Sequence, residues 1–157
     1  MRVDVLALQR FYASSLGDAA RRAAARRLAT LWPHADGLDV LGVGYPSPYL
    51  DRFRAGARRV VTMMPAAQGA EPWPAGALVA TALSEEARLP FMDAVFDRVL
   101  MVHGLEECDA APAMLREVWR VMAPEGRLVV IAANRWSLWA QSDISPLQEI
   151  ELLVQAR

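Results

Sequence analysis

Apolar positions fall into two spacings that alternate along the chain. Residues 4–14 show helical spacing behind Asp4, a candidate N-cap. Ser14-Ser15-Leu16-Gly17 interrupts the pattern, and Asp18 is expected to cap a second helix over 18–32. Ala20, Ala24, Leu28 and Leu31 share one face of that helix, and Pro33 ends it. The near-continuous apolar run from Leu38 to Val43 reads instead as a strand buried on both faces of a parallel sheet. Pro46 and Pro48 suit the entry to a helix reaching Ala55, which Gly56 stops. Val60–Met63 reads as a second strand, and Pro65–Gly76 as a loop rich in proline, glycine and alanine. Ala77–Thr81 is expected as a third strand and Phe96–Val102 as a fourth. Asp109 and Pro112 open a helix to Met122 with Met114, Leu115, Val118 and Met122 facing inward. Pro124-Glu125-Gly126 makes the turn into strand five, Leu128–Ala133, and Pro146–Arg157 is expected as a short helix. Strands alternating with helices predict an α/β domain with a parallel sheet and right-handed crossovers.

Composition narrows this picture without redirecting it. A chain of 157 residues, 54% hydrophobic and 22% charged, suits one globular domain. Within it, 1–34 is a helical segment, 35–136 the core and 137–157 a short extension. No apolar run approaches the length of a membrane span, and Met1-Arg2-Val3-Asp4 lacks the plan of a signal peptide. A single cysteine, Cys108, excludes an intrachain disulfide and fits the cytoplasm. Net charge is −1, so no global field favours nucleic acid. All 17 basic residues are arginine, which excludes a Schiff-base lysine and a phosphate-loop lysine. The arginines at 21, 22, 26 and 27 read as a solvated helix face.

Four segments then occur in a telling order. Asp39-Val40-Leu41-Gly42-Val43-Gly44 is a strand entering a glycine turn. Leu89-Pro90-Phe91-Met92-Asp93 leads to Phe96-Asp97-Arg98-Val99. Val102-His103-Gly104-Leu105-Glu106 follows, and then Leu115-Arg116-Glu117 running through Arg120-Val121 to Pro124-Glu125-Gly126-Arg127-Leu128. Together these resemble the class I S-adenosylmethionine (SAM)-dependent methyltransferases of the type 11 group, over about residues 35–136. The resemblance implies a Rossmann-like sheet of order 3-2-1-4-5 with its ligand at the C-terminal strand ends. It implies SAM as cofactor, with Gly42, Val43, Gly44 and Tyr45 close to its methionine part. Met64, with Met63, stands where a ribose-binding carboxylate is usual. Glu85 or Glu86 would meet the adenine amine, and Val102 and His103 would line the floor beneath the reacting methyl.

The chain also departs from that pattern. The usual aspartate two residues before the first glycine is Val40, Pro46 replaces the third glycine, and the ribose carboxylate is missing. Each lost charged hydrogen bond corresponds to about 1.5–3 kcal/mol. After Trp136 only some twenty residues remain, so strands six and seven are expected to be absent. Strand five would then have a bare edge, to be covered by Pro146–Arg157 or by a second copy in a homodimer, with Trp136 and Trp139 facing the partner. The function implied is methyl transfer from SAM, through a weakened site, to an unidentified small-molecule or macromolecular acceptor. The alternative is a non-catalytic module that kept the fold for binding or assembly. His103, near Glu106 and Glu107, is a candidate acid or base, against a structural histidine bonded at a strand end. Two histidines and one cysteine give too few ligands for a metal site. Tyr45 would either stack on a ligand or fill its space.

Overall fold

A computed structural model describes residues 3–106, 108–134 and 149–156, with Asn134 and 149–156 described by backbone alone. Helix α1 (Val5–Ala13) begins at Asp4, whose side chain accepts from Ala7 N–H at 2.7 Å. Helix α2 (Ser15–Leu31) begins at Ser14 rather than at Asp18: Ser14 Oγ accepts from Gly17 N–H at 3.0 Å. Asp18 instead pairs with Arg21 and Arg22 one turn on. Gly17 permits the sharp α1–α2 corner, because a Cβ there would overlap the Phe11 carbonyl.

The sheet contains β1 (Asp39–Gly44), β2 (Arg59–Pro65), β3 (Thr81–Ser84), β4 (Phe96–Val102), β5 (Met122–Asn134) and β6 (Glu149–Ala156). Five of these are parallel in the expected order 3-2-1-4-5, and the whole sheet runs β3-β2-β1-β4-β5-β6. Residues expected as a closing helix form β6, antiparallel to β5 from Asn134↔Glu149 to Arg127↔Ala156. That corrects the expectation of a sheet ending at strand five. The unpaired backbone groups of the β5 edge make strand pairing the better use of this segment, although its leucines also fit a helical stripe. The bare edge on which the homodimer expectation rested is thus taken by the chain itself. Trp136 and Trp139 lie outside the described residues.

Strand three lies later than expected. Thr81 pairs with Thr62 both in register and through their hydroxyls at 2.9 Å. The preceding Leu78 is 94% exposed, so residues 77–80 serve as connection rather than strand. Between β1 and β2, helix α3 (Ser47–Leu50) continues into a 3₁₀ turn at Asp51–Phe53. Helix α4 (Ala111–Val121) buries Met114, Val118 and Val121 but leaves Leu115 exposed, contrary to the inward position expected for it. Strand β5 starts at Met122, beside Phe96, so Pro124-Glu125-Gly126, expected as a turn before the strand, lies within it; the pairing shifts between Phe96 and Arg98, and Glu125 takes a positive φ of 61°.

Alternation along the strands fills two cores, one on each sheet face. Val40, Leu100, Val102, Val129 and Ile131 pack with Leu28, Trp32, Leu50 and Phe53 from α2, α3 and the 3₁₀ turn. Leu41, Val43, Val99, Met101 and Val130 pack with Met114, Val118 and Val121 of α4. Each fully buried Val or Leu contributes about 1.5–3 kcal/mol of burial. The result is a three-layer frame whose parallel strands all end on one side.

Candidate functional site

At that side, β1 and β4 end together where the strand order reverses, the usual ligand crevice of such sheets. Gly44 sits at φ +87°, and a Cβ on it would overlap the Val102 carbonyl. Tyr45 N–H donates to that same carbonyl at 2.7 Å. A side chain on Gly42 would strike Pro46 and Leu50. Only glycine therefore lets the turn lie this close to β4 and to the start of α3. Val43 is buried in the α4-side core, so only its backbone belongs to the turn.

Tyr45 is itself buried and fills space beside the turn. Its ring stacks on Tyr12 at 5.7 Å, and its hydroxyl donates to Glu71 Oε2 at 3.2 Å. Burial, then the neighbouring Glu71 charge, raise its hydroxyl pKa above the ordinary tyrosine value. Met64 is fully buried, and its sulfur accepts from Glu71 N–H at 3.3 Å. Glu71 thus brings a carboxylate to the end of β2, where the sequence places only methionines. It also accepts from Gln9 Nε2 of α1 at 2.7 Å. Glu85 and Glu86 follow β3 at the same end of the sheet, two strands away from the turn.

Across the turn, His103 follows β4 at φ +50°, a left-handed conformation costing about 1–2 kcal/mol for a non-glycine residue. Its Nδ1 lies 2.8 Å from Glu106 Oε1, and its Nε2 lies 2.9 Å from the Tyr12 hydroxyl. Ala133 N–H also donates to Glu106 Oε1, at 3.1 Å. Burial pushes the Glu106 carboxyl up, but the hydrogen bonds from His103 and from the Ala133 N–H outweigh it, and the net shift is downward. An ionised carboxylate only accepts, so Nδ1 carries the proton, and in the neutral imidazole Nε2 is then the lone-pair nitrogen that accepts from Tyr12. The Tyr49 hydroxyl, 3.2 Å from that of Tyr12, completes the chain.

The structure therefore joins Gly42, Gly44, Tyr45, Met64, Val102 and His103 at one end of the sheet. It adds Tyr12, Tyr49, Glu71 and Gln9, which sequence reasoning missed. Glu71 did leave a signal: it is the one acid between Pro65 and Thr81. Tyr12 left none, because nothing local ties a helix residue 91 positions upstream to His103.

These residues suit SAM, the cofactor that the family resemblance implies. Ser47 Oγ, just past the turn, is buried without a partner among the described residues. Glu71 offers the carboxylate that suits a ribose diol, and the glycines allow close backbone approach.

Comparison with known proteins agrees. A family model described as a methyltransferase domain matches residues 38–130. The ubiquinone/menaquinone biosynthesis C-methyltransferase UbiE of Bordetella parapertussis is 39% identical over 61 residues, 39% of this chain and 24% of that protein. The demethylmenaquinone methyltransferase of Mycolicibacterium paratuberculosis is 45% identical over 56 residues, 36% of this chain and 24% of that protein. Among solved structures, the [4+2]-cyclase SpnF is similar at a TM-score of 0.62 and 25% identity, covering 86% of this chain and 53% of that one. The YcgJ protein of Bacillus subtilis shares the fold at a TM-score of 0.57 and 17% identity, covering 72% of this chain and 51% of that one. The chain spans 24% of the length of these curated relatives and about half of these solved chains. With the family model covering more than half of the residues and the sheet order in agreement, the chain belongs to the methyltransferase domain family.

Proposed function

We propose that this domain binds SAM at the C-terminal ends of β1, β2 and β4 and transfers its methyl group to an acceptor. The carrying observation is the Gly44 turn, pressed against β4 where the strand order reverses. SpnF is named a cyclase, so likeness of fold alone does not fix the reaction. The match to the methyltransferase domain family favours methyl transfer here.

When bound, SAM supplies a methyl group already activated by its sulfonium. The chain need only hold the partners and manage a proton. The glycine turn admits the cofactor's backbone-facing side. Glu71, in place of a carboxylate on β2, would hold the ribose hydroxyls with the carboxylate oxygen that now accepts from Tyr45 and Gln9. The backbone at Val102 and His103 forms the floor. Because Glu71 sits on a loop and already holds two partners, the site binds more weakly than one with a strand-borne carboxylate. A cytoplasmic setting fits the lone Cys108, and no helix among the described residues is long and apolar enough to cross a membrane.

Titration calorimetry with S-adenosylhomocysteine tests the reading. The expected result is sub-millimolar binding that is lost in Gly44→Asp. A folded wild-type chain that takes up none contradicts it.

A further inference from the structure

We propose that His103, held by Glu106, is the proton acceptor of this site, and that the methyl acceptor it serves carries a phenol-like hydroxyl whose place is kept by Tyr12. The inference rests on the methyl-transfer reading above and names the substrate class of that site.

Three observations carry it. The first is the orientation of His103. Both His103 and Glu106 side chains are about nine-tenths buried, at 11% and 10% exposure. Glu106 fixes the imidazole so that the bare Nε2 faces the cluster of hydroxyls. The other carboxylate oxygen, Oε2, is buried without a partner among the described residues. Oε1 keeps the carboxylate anchored beside the imidazole, with Nδ1 as its side-chain partner. The second is backbone strain: His103 holds a left-handed conformation beside Gly104, where glycine would sit without cost. The third is the Tyr12 ring itself. It stacks on Tyr45, meets Tyr49 edge-on at 6.1 Å and an interplanar angle of 86°, and presents its hydroxyl to Nε2. The chain thereby shows that an aromatic ring bearing a hydroxyl fits at this nitrogen.

Tyr12 can yield the place because α1 is lightly attached. Leu8 is the one fully buried residue of the helix, and Leu6 is 60% exposed. Among the described residues, its polar ties to the body are Val5 N–H to the Gln68 carbonyl, at 3.0 Å, Gln9 to Glu71, and Tyr12 itself. Ser14, extended at φ −76° and ψ 157°, separates it from α2.

The proton balance selects the acceptor class. A phenol is only a few powers of ten less acidic than an imidazolium, whereas an alkyl alcohol lies as far off as water. The acceptor's O–H proton passes to His103 Nε2, and the imidazolium stays paired with Glu106. The phenolate oxygen forms its bond to the methyl carbon as the carbon–sulfur bond breaks, the electron pair remaining on sulfur. Nε2 then returns its proton to water.

The test uses 4-nitrophenol, whose yellow phenolate band reports its own deprotonation. Tyr12→Ala vacates a phenol-sized space and is expected to bind the dye saturably. Below the free dye's own transition, the bound dye is expected to be largely phenolate. Adding His103→Gln is expected to abolish the band and weaken binding at least ten-fold. A folded Tyr12→Ala that binds no dye, or a band indifferent to His103→Gln, overturns the inference. Calorimetry with S-adenosylhomocysteine on the same variants separates the two readings: retained cofactor binding with no dye effect removes this inference alone. If Tyr12→Ala does not fold, NMR of the His103 ring nitrogens in the wild-type chain decides. A protonated Nδ1 with a bare Nε2 is expected, and the opposite tautomer overturns the assignment.

Discussion

The two ends of the parallel sheet are built from different chemistry. At the N-terminal end, charges clamp the strand starts to one another and α4 to the segment before β4. Arg58 grips Asp39 through two nitrogens at 3.1 and 2.6 Å, Arg59 adds a third contact at 3.3 Å, and Asp97 accepts from Asp39 N–H. Arg120 of α4 pairs with Glu117 and Asp93 and donates to the Leu89 and Phe91 carbonyls, while Glu117 accepts from Leu89 N–H. At the C-terminal end, tyrosine hydroxyls, one histidine and two carboxylates converge on a glycine turn. The first end fixes the frame, and the second is where we propose that the ligand binds. A consequence is that Leu89–Asp93 and Glu117–Arg120, which signal the family most strongly, form one structural clamp far from the chemistry.

That division can be broken at either end. The largest effect is expected at the turn. Gly44→Ala introduces both positive-φ strain and overlap with the Val102 carbonyl, and is expected to lower stability by about 2–5 kcal/mol in urea unfolding. Next comes the clamp. Arg120→Ala leaves Glu117 and two carbonyls without their donor and is expected to lower stability by about 2–3 kcal/mol, with S-adenosylhomocysteine affinity unchanged within about two-fold. Glu71→Gln is expected to show the converse. It weakens cofactor-product binding by roughly ten-fold and shifts stability by less than about 1 kcal/mol.

The smallest effect is in acid. The Arg58 hydrogen bonds hold the Asp39 carboxyl below its ordinary value against the opposing effect of burial, and Arg59 adds to them. A carboxyl lowered in the folded state adds stability that is complete above the unfolded value of about 3.9 and is lost as pH falls through the folded one. Stability measured from about pH 5 downward is therefore expected to fall less steeply in Asp39→Asn than in the wild-type chain.

The sequence made the frame legible because buried parallel strands leave continuous apolar runs, and Val40–Val43 and Val99–Val102 show them plainly. Asp4 was readable as a cap for a similar local reason. Asp18 was not, because Ser14 was the better-placed cap and Asp18 had two arginines within one turn. The segment 149–156 misled because its apolar positions satisfy a helix and a strand alike, and the neighbouring edge decides. The site was legible only in its backbone part. Gly42, Gly44 and His103 stand on strand ends that the pattern locates. Tyr12, Tyr49 and Glu71 reach the site through tertiary packing, which leaves no local spacing to read.

The proposed SAM site lies at the C-terminal end of the sheet and takes its ribose carboxylate from Glu71. Calorimetric titration of S-adenosylhomocysteine into the wild-type chain, Glu71→Gln and Asp39→Asn tests it most directly. Sub-millimolar binding by the wild-type chain is expected, with about ten-fold weaker binding by Glu71→Gln and no change in Asp39→Asn. Absence of binding by the folded wild-type chain, or equal loss in Asp39→Asn and Glu71→Gln, contradicts it.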